Sequence, residues 1–205
     1  MCMSGSRPFD ARLSIAREAD EGVRHSLLET YRNYLLLLAR IQSDPLLRGR
    51  VGDSDIVQET LIQANRDFEA FRGANEAELV GWLRAIMSKK RALIARQHFG
   101  TAARDPRLEV QVQDDMDQSS QRLEQAFFAC GPSPSQHADQ RERAVLLADA
   151  LAALPEDYRE VVVLHHIKGY PLSEVAQAMG RSLDSVKKLW ARAMIQLRTS
   201  LKGLA

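Results

Sequence analysis

The sequence predicts an all-α protein with two small helical domains, a helical bundle and then a four-helix domain, joined by a flexible linker. Only 6% of the 205 residues are aromatic, and no segment alternates apolar and polar side chains as a half-buried strand would. Apolar residues recur at spacings of three and four, which is the period of an amphipathic helix. A stretch containing Pro, Ser and Gly interrupts this pattern in the middle of the chain and predicts the linker.

Composition limits the class of protein. The chain is 45% hydrophobic and 27% charged, which is typical of a globular protein and not of a disordered one. Its two cysteines, Cys2 and Cys130, exclude a disulfide framework and a cysteine-rich zinc site. The longest apolar run, residues 35–39, is far shorter than the roughly 20 residues that span a bilayer. The charged N-terminal residues leave no apolar region for a signal peptide, so we expect a cytoplasmic protein without a membrane partner.

The first domain is predicted to cover residues 11–104, after a disordered N-terminus at residues 1–10. A first helix is expected over residues 11–42, with a break near Gly22. A second helix begins at Asp53 and ends at Arg72 and Gly73. A third covers residues 76–97, and three such helices can close a bundle. The second helix carries an apolar stripe at spacings of four and three: Val57, Leu61, Ala64, Phe68 and Phe71.

The linker is predicted over residues 105–139, which are acidic at the start and contain Pro and Ser further on. Only a short helix is expected there, around residues 121–129, because a Pro, Ser and Gly segment buries too little to offset the entropy of ordering it. The second domain then covers residues 140–205, with helices at 140–153, from Pro155, at 172–179 and at 183–202.

Charge is distributed unevenly along the chain. Residues 80–104 contain six basic residues and no acidic one, and residues 181–202 contain six basic residues and one acidic one. Residues 105–125 contain six acidic residues against two basic ones. Each basic patch alone is explained by a solvated helix face. One patch in each domain favours a nucleic-acid ligand, because cationic surfaces bind phosphate with release of counterions.

Residues 172–190 match a helix-turn-helix pattern. Gly180 permits the tight turn that the pattern needs, and Ser182 is a suitable N-cap for the second helix. Ala176 is small enough for the two helices to cross closely. The apolar residues expected to close the core between them are Val175, Met179, Val186 and Leu189.

The second helix of this pair is predicted to bind DNA. A recognition helix contacts base edges from its first turns and phosphates further along. An ordinary helical hairpin explains Gly180 and Ser182 but not the exposed basic run. Trp190 is expected to pack in the core. The predicted DNA-binding residues are Arg181, Ser182, Ser185, Lys187, Lys188 and Arg192.

No catalytic pattern is present in the sequence. It lacks a glycine-rich phosphate loop, a zinc-ligand spacing and a Ser/His or Cys/His motif. His165 and His166 are adjacent, so on a helix they point about 100° apart and suit a metal poorly. We therefore expect neither an enzyme nor a cofactor or metal, and a structural role for both histidines.

Two motifs resemble the sigma-70 family. Residues 150–164, ALAALPEDYREVVVL, together with the helix-turn-helix, resemble region 4 of bacterial sigma factors. Residues 55–60, DIVQET, resemble its region 2 signature, and Trp82, Leu83 and Arg84 resemble the start of its promoter-melting helix. The resemblance covers about residues 31–202 and leaves no room for a middle domain, so the chain resembles the extracytoplasmic-function (ECF) group.

The resemblance implies a surface that docks on RNA polymerase core. Asp55, Gln58 and Glu59 share one helix face, largely opposite the stripe that contains Val57. In the family this face meets the clamp helices of the largest polymerase subunit. Taken without the family, the same residues fit an acidic cluster that caps the N-terminus of the helix.

The resemblance also implies a surface for the −10 element, while the recognition helix would bind the −35 element. Capturing unpaired bases needs pockets and positive charge. Family members often have Asn or another uncharged polar residue where Lys89 and Lys90 stand, and lysine reads a base edge less selectively than Asn. The predicted −10 residues are Trp82, Arg84, Lys89, Lys90, Arg91 and Arg96.

The implied function is that of a sigma factor, which binds polymerase core through the clamp helices and the flap region, recognises promoter DNA and assists its melting. The chain is expected to be monomeric when free, with an anti-sigma factor as a further candidate partner. Two alternatives stay open. One is a helix-turn-helix regulator that acts without polymerase, and the other is a sigma-like partner that binds polymerase without initiating.

Overall fold

The computed structural model describes residues 8–18, 20–42, 52–99, 107–130 and 140–204. Within these ranges the chain is helical and has no strand, which confirms the predicted all-α class. The helices are α1 (Pro8–Glu18), α2 (Glu21–Glu29), α3 (Arg32–Gln42), α4 (Asp53–Arg66), α5 (Glu76–Phe99), α6 (Arg107–Cys130), α7 (Gln140–Ala152), α8 (Glu156–Val161), α9 (Leu172–Ala178) and α10 (Leu183–Leu204).

The chain divides into two compact units, Met1–Asp117 and Gln118–Ala205. In the first unit α4 packs against α2, α3 and α5. The predicted stripe of α4 and of the 3₁₀ turn after it is buried, because it faces these three helices. Its members are Val57, Leu61, Ala64, Phe68 and Phe71.

Side-chain hydrogen bonds fix the start of α5, the helix that carries the predicted −10 residues. The side-chain oxygen of Asn75 accepts from the backbone N–H of Glu78 at 2.9 Å, and the Glu78 carboxylate accepts from the N–H of Ala74 at 2.7 Å. Just before it, a Cβ on Gly73 would lie 2.3 Å from the Phe71 ring, so only glycine fits. Arg17 of α1 donates to the Gly73 carbonyl at 2.5 Å. These contacts hold the segment before α5 against the first unit.

The second unit is built around α10, which packs against α7, α8 and α9. The Arg159 guanidinium ties α8 to the end of α7 by donating to the carbonyls of Leu151, Ala152 and Leu154 at 3.0, 2.9 and 2.9 Å. Helix α8 continues into a wider π-helical turn, Val162–Ile167. These contacts hold together two of the helices against which α10, the predicted recognition helix, packs.

Three predicted helix boundaries are wrong. Residues 11–42 were expected to form one helix with a break near Gly22. The structure has a break there, where Asp20 caps α2 by accepting from the Val23 N–H at 3.2 Å, and it has a second break that was not predicted, a turn at Thr30 between α2 and α3. Helix α1 begins at Pro8, inside the segment predicted to be disordered. Helix α4 ends at Arg66 instead of residue 72, and the 3₁₀ turn Phe68–Ala70 follows.

The prediction of a flexible linker with only a short helix is also wrong for residues 107–130, which form the 24-residue helix α6. Its buried residues recur at spacings of three and four, and two of them are serines, so the stripe is weakly apolar. They are Met116, Ser119, Ser120, Leu123 and Ala126. The other parts of the predicted linker, residues 105–106 and 131–139, lie outside the described residues, as do residues 1–7. The division between the two units falls within α6.

Candidate nucleic-acid interface

The turn between α9 and α10 has the geometry that the sequence predicts. Gly180 has φ +62°, a left-handed conformation that glycine adopts without steric cost. The N–H of Gly180 donates to the carbonyl of Gln177 at 3.2 Å, and that of Arg181 donates to Ala176 at 2.9 Å. The Ser182 hydroxyl accepts from the N–H of Ser185 at 3.3 Å, which confirms Ser182 as the N-cap of α10.

The packing between these helices also matches the prediction. Val175, Ala176 and Val186 are buried, and Met179 and Leu189 are half-buried. The helices are therefore held together by the side chains that the sequence predicts for this core.

Trp190 and the two histidines pack inside the second unit. The Trp190 ring lies edge-on to His165 at 5.5 Å between centroids, and His165 Nδ1 lies 2.7 Å from the carbonyl oxygen of Tyr170. Burial lowers the pKa of His166, the nearby His165 lowers it further, and a hydrogen bond to the backbone of Ala126 opposes the shift. These contacts fit the packing role predicted for Trp190 and the structural roles predicted for the histidines.

The basic residues of α10 face solvent. The side chains of Ser182, Lys187, Lys188 and Arg192 are exposed, while Ser185 is half-buried. Lys188 Nζ lies 2.9 Å from Asp184 Oδ2 on the same helix, and both side chains are exposed. Such exposed pairs are weak and are screened by salt, so a DNA phosphate could replace the carboxylate.

Arg181 is held from α8 instead of projecting freely. Its Nη2 lies 2.5 Å from Asp157 Oδ2, and both side chains are partly exposed. This partner was not predicted, because Asp157 and Arg181 stand far apart in the chain. For Arg181 to contact DNA, a phosphate would have to take the place of Asp157.

The predicted polymerase-docking residues lie together on one exposed face. Asp55, Gln58 and Glu59 are exposed on α4, and Val57 is buried on the opposite side. Arg32 of α3 donates to Gln58 Oε1 at 2.6 Å, so the face extends onto α3. This α3 extension was not predicted.

Arg32 is held in turn by Glu29. Its Nε donates to Glu29 Oε2 at 2.6 Å, and this hydrogen bond lowers the pKa of Glu29. An acid and a base three residues apart in the sequence are the signal that could have revealed the pair.

The predicted −10 residues of α5 lie close to acidic side chains. Arg84 is only 9% exposed, and its Nη2 lies 3.2 Å from Asp117 Oδ1 of α6. Lys90 Nζ lies 3.6 Å from Oε2 of Glu59, a predicted polymerase-docking residue. Lys89 is exposed. The acidic partners were not predicted, although the acidic charge of residues 105–125 was the signal for Asp117.

Arg91 is also close to carboxylates. Burial lowers the pKa of its guanidinium, and the charges of Asp53 and Asp115 oppose that shift. The side chain of Arg96 lies outside the described residues.

Trp82 belongs to an aromatic cluster. Its ring centroid lies 5.0 Å from that of Phe71 and 6.4 Å from that of Phe68, and the side chain is half-buried. The arrangement favours a packing role for Trp82 and leaves part of the ring accessible.

The described residues were also considered for a metal site and for a membrane-spanning helix. None of their His, Cys, Asp and Glu side chains form a group of three or more suited to a metal ion. None of the described helices combines the length and apolarity that crossing a membrane requires.

Comparison with known proteins supports the resemblance. The family model for sigma-70, region 4 matches residues 144–197. A probable RNA polymerase sigma factor RfaY from Xanthomonas campestris is 34% identical over 70 residues, which are 34% of this chain and 18% of that protein. An RNA polymerase sigma-E factor from Streptomyces antibioticus is 40% identical over 70 residues, which are 34% of this chain and 37% of that protein. The matches thus span well under half of the relatives' length.

Two solved structures are similar at low scores. CnrH in complex with the cytosolic domain of CnrY has 20% identity and a TM-score of 0.35, with 96% of this chain and 98% of that chain covered. The sigma factor RpoE in complex with the anti-sigma factor NepR from Bartonella quintana has 18% identity and a TM-score of 0.32, with 89% and 98% covered. These TM-scores are too low to transfer residue roles.

The helix-turn-helix of α9 and α10 lies inside the segment that matches the family model. Residues 144–197 thus match sigma-70 region 4, and the similarity to sigma-E factors supports the resemblance of this chain to the ECF group.

Proposed function

We propose that this protein is a sigma factor, which binds RNA polymerase core, directs it to specific promoters through −35 and −10 elements and assists promoter melting. The observation that carries the proposal is the helix-turn-helix of α9 and α10, whose exposed basic face lies within the segment matched by sigma-70 region 4. In the proposal, residues 140–205 act as the region 4-like domain and residues 11–104 as the region 2-like domain.

In the proposed mechanism α10 binds the −35 element in the major groove. Residues at the start of a recognition helix reach base edges, so Ser182 and Ser185 are the candidates for base contacts. Lys187, Lys188 and Arg192 would bind phosphates and fix the register of the helix on the duplex. Their exposure supports this role, since none has to be unburied first.

The face of Asp55, Gln58 and Glu59 would bind polymerase core, and α5 would hold the unpaired strand of the −10 element. Exposed acidic and amide groups on one helix face suit a basic partner surface, and complementary charge steers such an encounter. Phosphates of the strand would pair with cations of α5, and the accessible part of Trp82 could stack on a base. An anti-sigma factor stays a candidate partner through the family resemblance.

The test is run-off transcription with core polymerase from the same source and genomic fragments as template. The wild-type chain should produce new discrete start sites, and Asp55→Lys should abolish them together with binding to core. Asp10→Lys is a matched control, because Asp10 is also an exposed acid in the first turn of a helix. We substitute Asp55 instead of Glu59, because Glu59→Lys would also place a second cation beside Lys90.

Other outcomes separate the alternatives. Core binding that depends on Asp55, without new transcripts, would favour the sigma-like partner that does not initiate. Tight duplex binding by the chain alone, with neither core binding nor transcription, would favour the helix-turn-helix regulator.

A further inference from the structure

Two neighbouring residues of α6, Met116 and Asp117, contact other helices of the first unit, one through an apolar side chain and one through a charged side chain. Met116 is fully buried, and Gln42 Nε2 lies 3.4 Å from its sulfur. The neighbouring Asp117 forms the 3.2 Å ion pair with Arg84 of α5. This segment therefore contributes to covering Arg84.

Arg91, a second cation of α5, has incomplete hydrogen bonding among the described residues. Arg91 is half-buried, and its Nη1 has no hydrogen-bond partner among the described residues. The charges that act on it come from Asp53 at the start of α4 and Asp115 of α6. An arginine fork can bind a phosphate through two parallel hydrogen bonds. A phosphate could therefore offer Arg91 a more complete set of acceptors than it has in this structure.

Acidic residues and phosphates compete for the same cations. Both Asp115 and Asp117 stand on α6, while Arg84 and Arg91 stand on α5. Arg84 is only 9% exposed, so a nucleic-acid strand cannot pair fully with it until the residues that cover it, Asp117 among them, move. The Asp117 side chain is itself 45% exposed, so its ion pair is screened by solvent and can be exchanged.

We propose that the acidic first half of α6 and a single strand of DNA are mutually exclusive occupants of the basic face of α5. The chain thus carries its own competitor for the strand, and α6 masks the surface until phosphates displace it. This inference rests on the proposed function, which assigns the −10 strand to α5.

The test compares two substitutions on α6 that remove the same charge. Asp117→Asn breaks the contact with Arg84, while Asp114→Asn removes an exposed acid three residues away on the same helix. A labelled single-stranded oligonucleotide of mixed sequence is titrated with the full-length chain. Asp117→Asn should tighten binding about 3- to 10-fold at low salt and steepen the salt dependence, because it adds a cation for phosphate. Asp114→Asn should change binding less than about twofold, because only long-range charge is lost.

Hydrogen exchange supplies a second measurement that does not depend on a variant. In the wild-type chain, adding the oligonucleotide should accelerate exchange of the α6 amides around Met116, since the helix must leave its place. The amides of α4 should keep their protection, because that helix is the centre of the first unit.

Equal effects of the two substitutions would overturn the proposal, because net charge alone would then explain them. Strand binding without faster exchange in α6 would overturn it as well. If the wild-type chain initiates transcription and either result is found, the masking inference fails while the proposed function stands. If no variant binds the strand and no transcripts form, the proposed function fails and the masking inference fails with it.

Discussion

The basic surfaces of α5 and α10 carry similar charge in the sequence but differ in what their cations contact. On α10, Lys187 and Arg192 are exposed, and Lys188 pairs with an exposed acid one turn away. On α5, Arg84 is buried against Asp117, and Arg91 is half-buried close to two carboxylates. The number of cations in a segment therefore does not measure how many are available to a ligand.

This difference sets what each surface can bind without rearrangement. The α10 surface can meet the phosphates of a duplex as it stands, because only weak exposed pairs are exchanged. The α5 surface must first lose its internal partners. We therefore expect duplex recognition to require less rearrangement than strand capture, which agrees with the order in which a promoter is bound and then opened.

The largest effect is expected from reversing charge on the open surface. The double substitution Lys187→Glu/Arg192→Glu should reduce transcripts from each start site about 100-fold, because two phosphate contacts become repulsions. Arg198→Glu/Lys202→Glu is the matched control, since it changes the same charge at exposed positions near the other end of α10. Run-off transcription measures both variants, and circular dichroism checks that they are folded. Equal losses of transcripts in the two double variants would show that only the net charge of α10 matters, and not the face on which its cations lie.

A smaller effect, on stability, is expected from replacing one glycine in each unit with alanine, because the two glycines have different backbone conformations. Gly180→Ala should destabilise the second unit by about 1 kcal/mol, because alanine is strained at φ +62° although its Cβ has room. Gly81→Ala should stabilise the first unit by about 0.5–1 kcal/mol, because Gly81 is inside helix α5 and its Cβ would also meet nothing. Denaturant unfolding followed by Trp190 for one unit and Trp82 for the other measures both. Shifts of the same sign would contradict this account.

The smallest expected effect is a difference between the two units in how their stability depends on pH. The pKa of His166 lies below its ordinary value of 6.5, so the unfolded chain takes up a proton more readily than the folded second unit. Stability of this unit should be fully present above about pH 6.5 and fall as the pH drops through the folded pKa. In the first unit the pKa of Glu29 is lowered from its ordinary value of 4.5. The stability that this group contributes is therefore lost only as the pH falls below about 4.5.

Thermal unfolding between pH 7 and pH 4, followed by the two tryptophans, tests this difference. His166→Gln should flatten the profile of the second unit above pH 5. The cations that face His166 are Arg198 and, when protonated, His165, and both remain in the variant. A profile that is unchanged by the substitution would assign the pH dependence to other groups.

Local sequence signals predicted the helix-turn-helix. No sequence signal predicted the contact between α6 and the basic face of α5. Gly180 and Ser182 specify a turn and a cap through their own backbone and side-chain chemistry, and the structure has both. Helix α6 was missed because serines occupy part of its buried stripe and acidic residues surround it. The pairing of Arg84 with Asp117 depends on how α6 packs, which residue spacing does not encode.

The same limit applies to the docking face and to the N-terminal helices. Asp55, Gln58 and Glu59 could be assigned to one exposed face from the period of a helix alone. Arg32 could not, because it reaches that face from α3. The break near Gly22 was predicted and is capped by Asp20, but the turn at Thr30 that separates α2 from α3 was not predicted.

The central position of α4 in one unit and of α10 in the other has a consequence for synthesis of the chain. Because α4 precedes α5 and the start of α6, the first unit can close while the ribosome is still adding the second. The second unit cannot form its core until α10, which follows α7, α8 and α9, has emerged. At typical rates of translation this interval is on the order of 10 s. During it, Asp117 can already cover Arg84 of the nascent protein, next to a ribosome made largely of RNA.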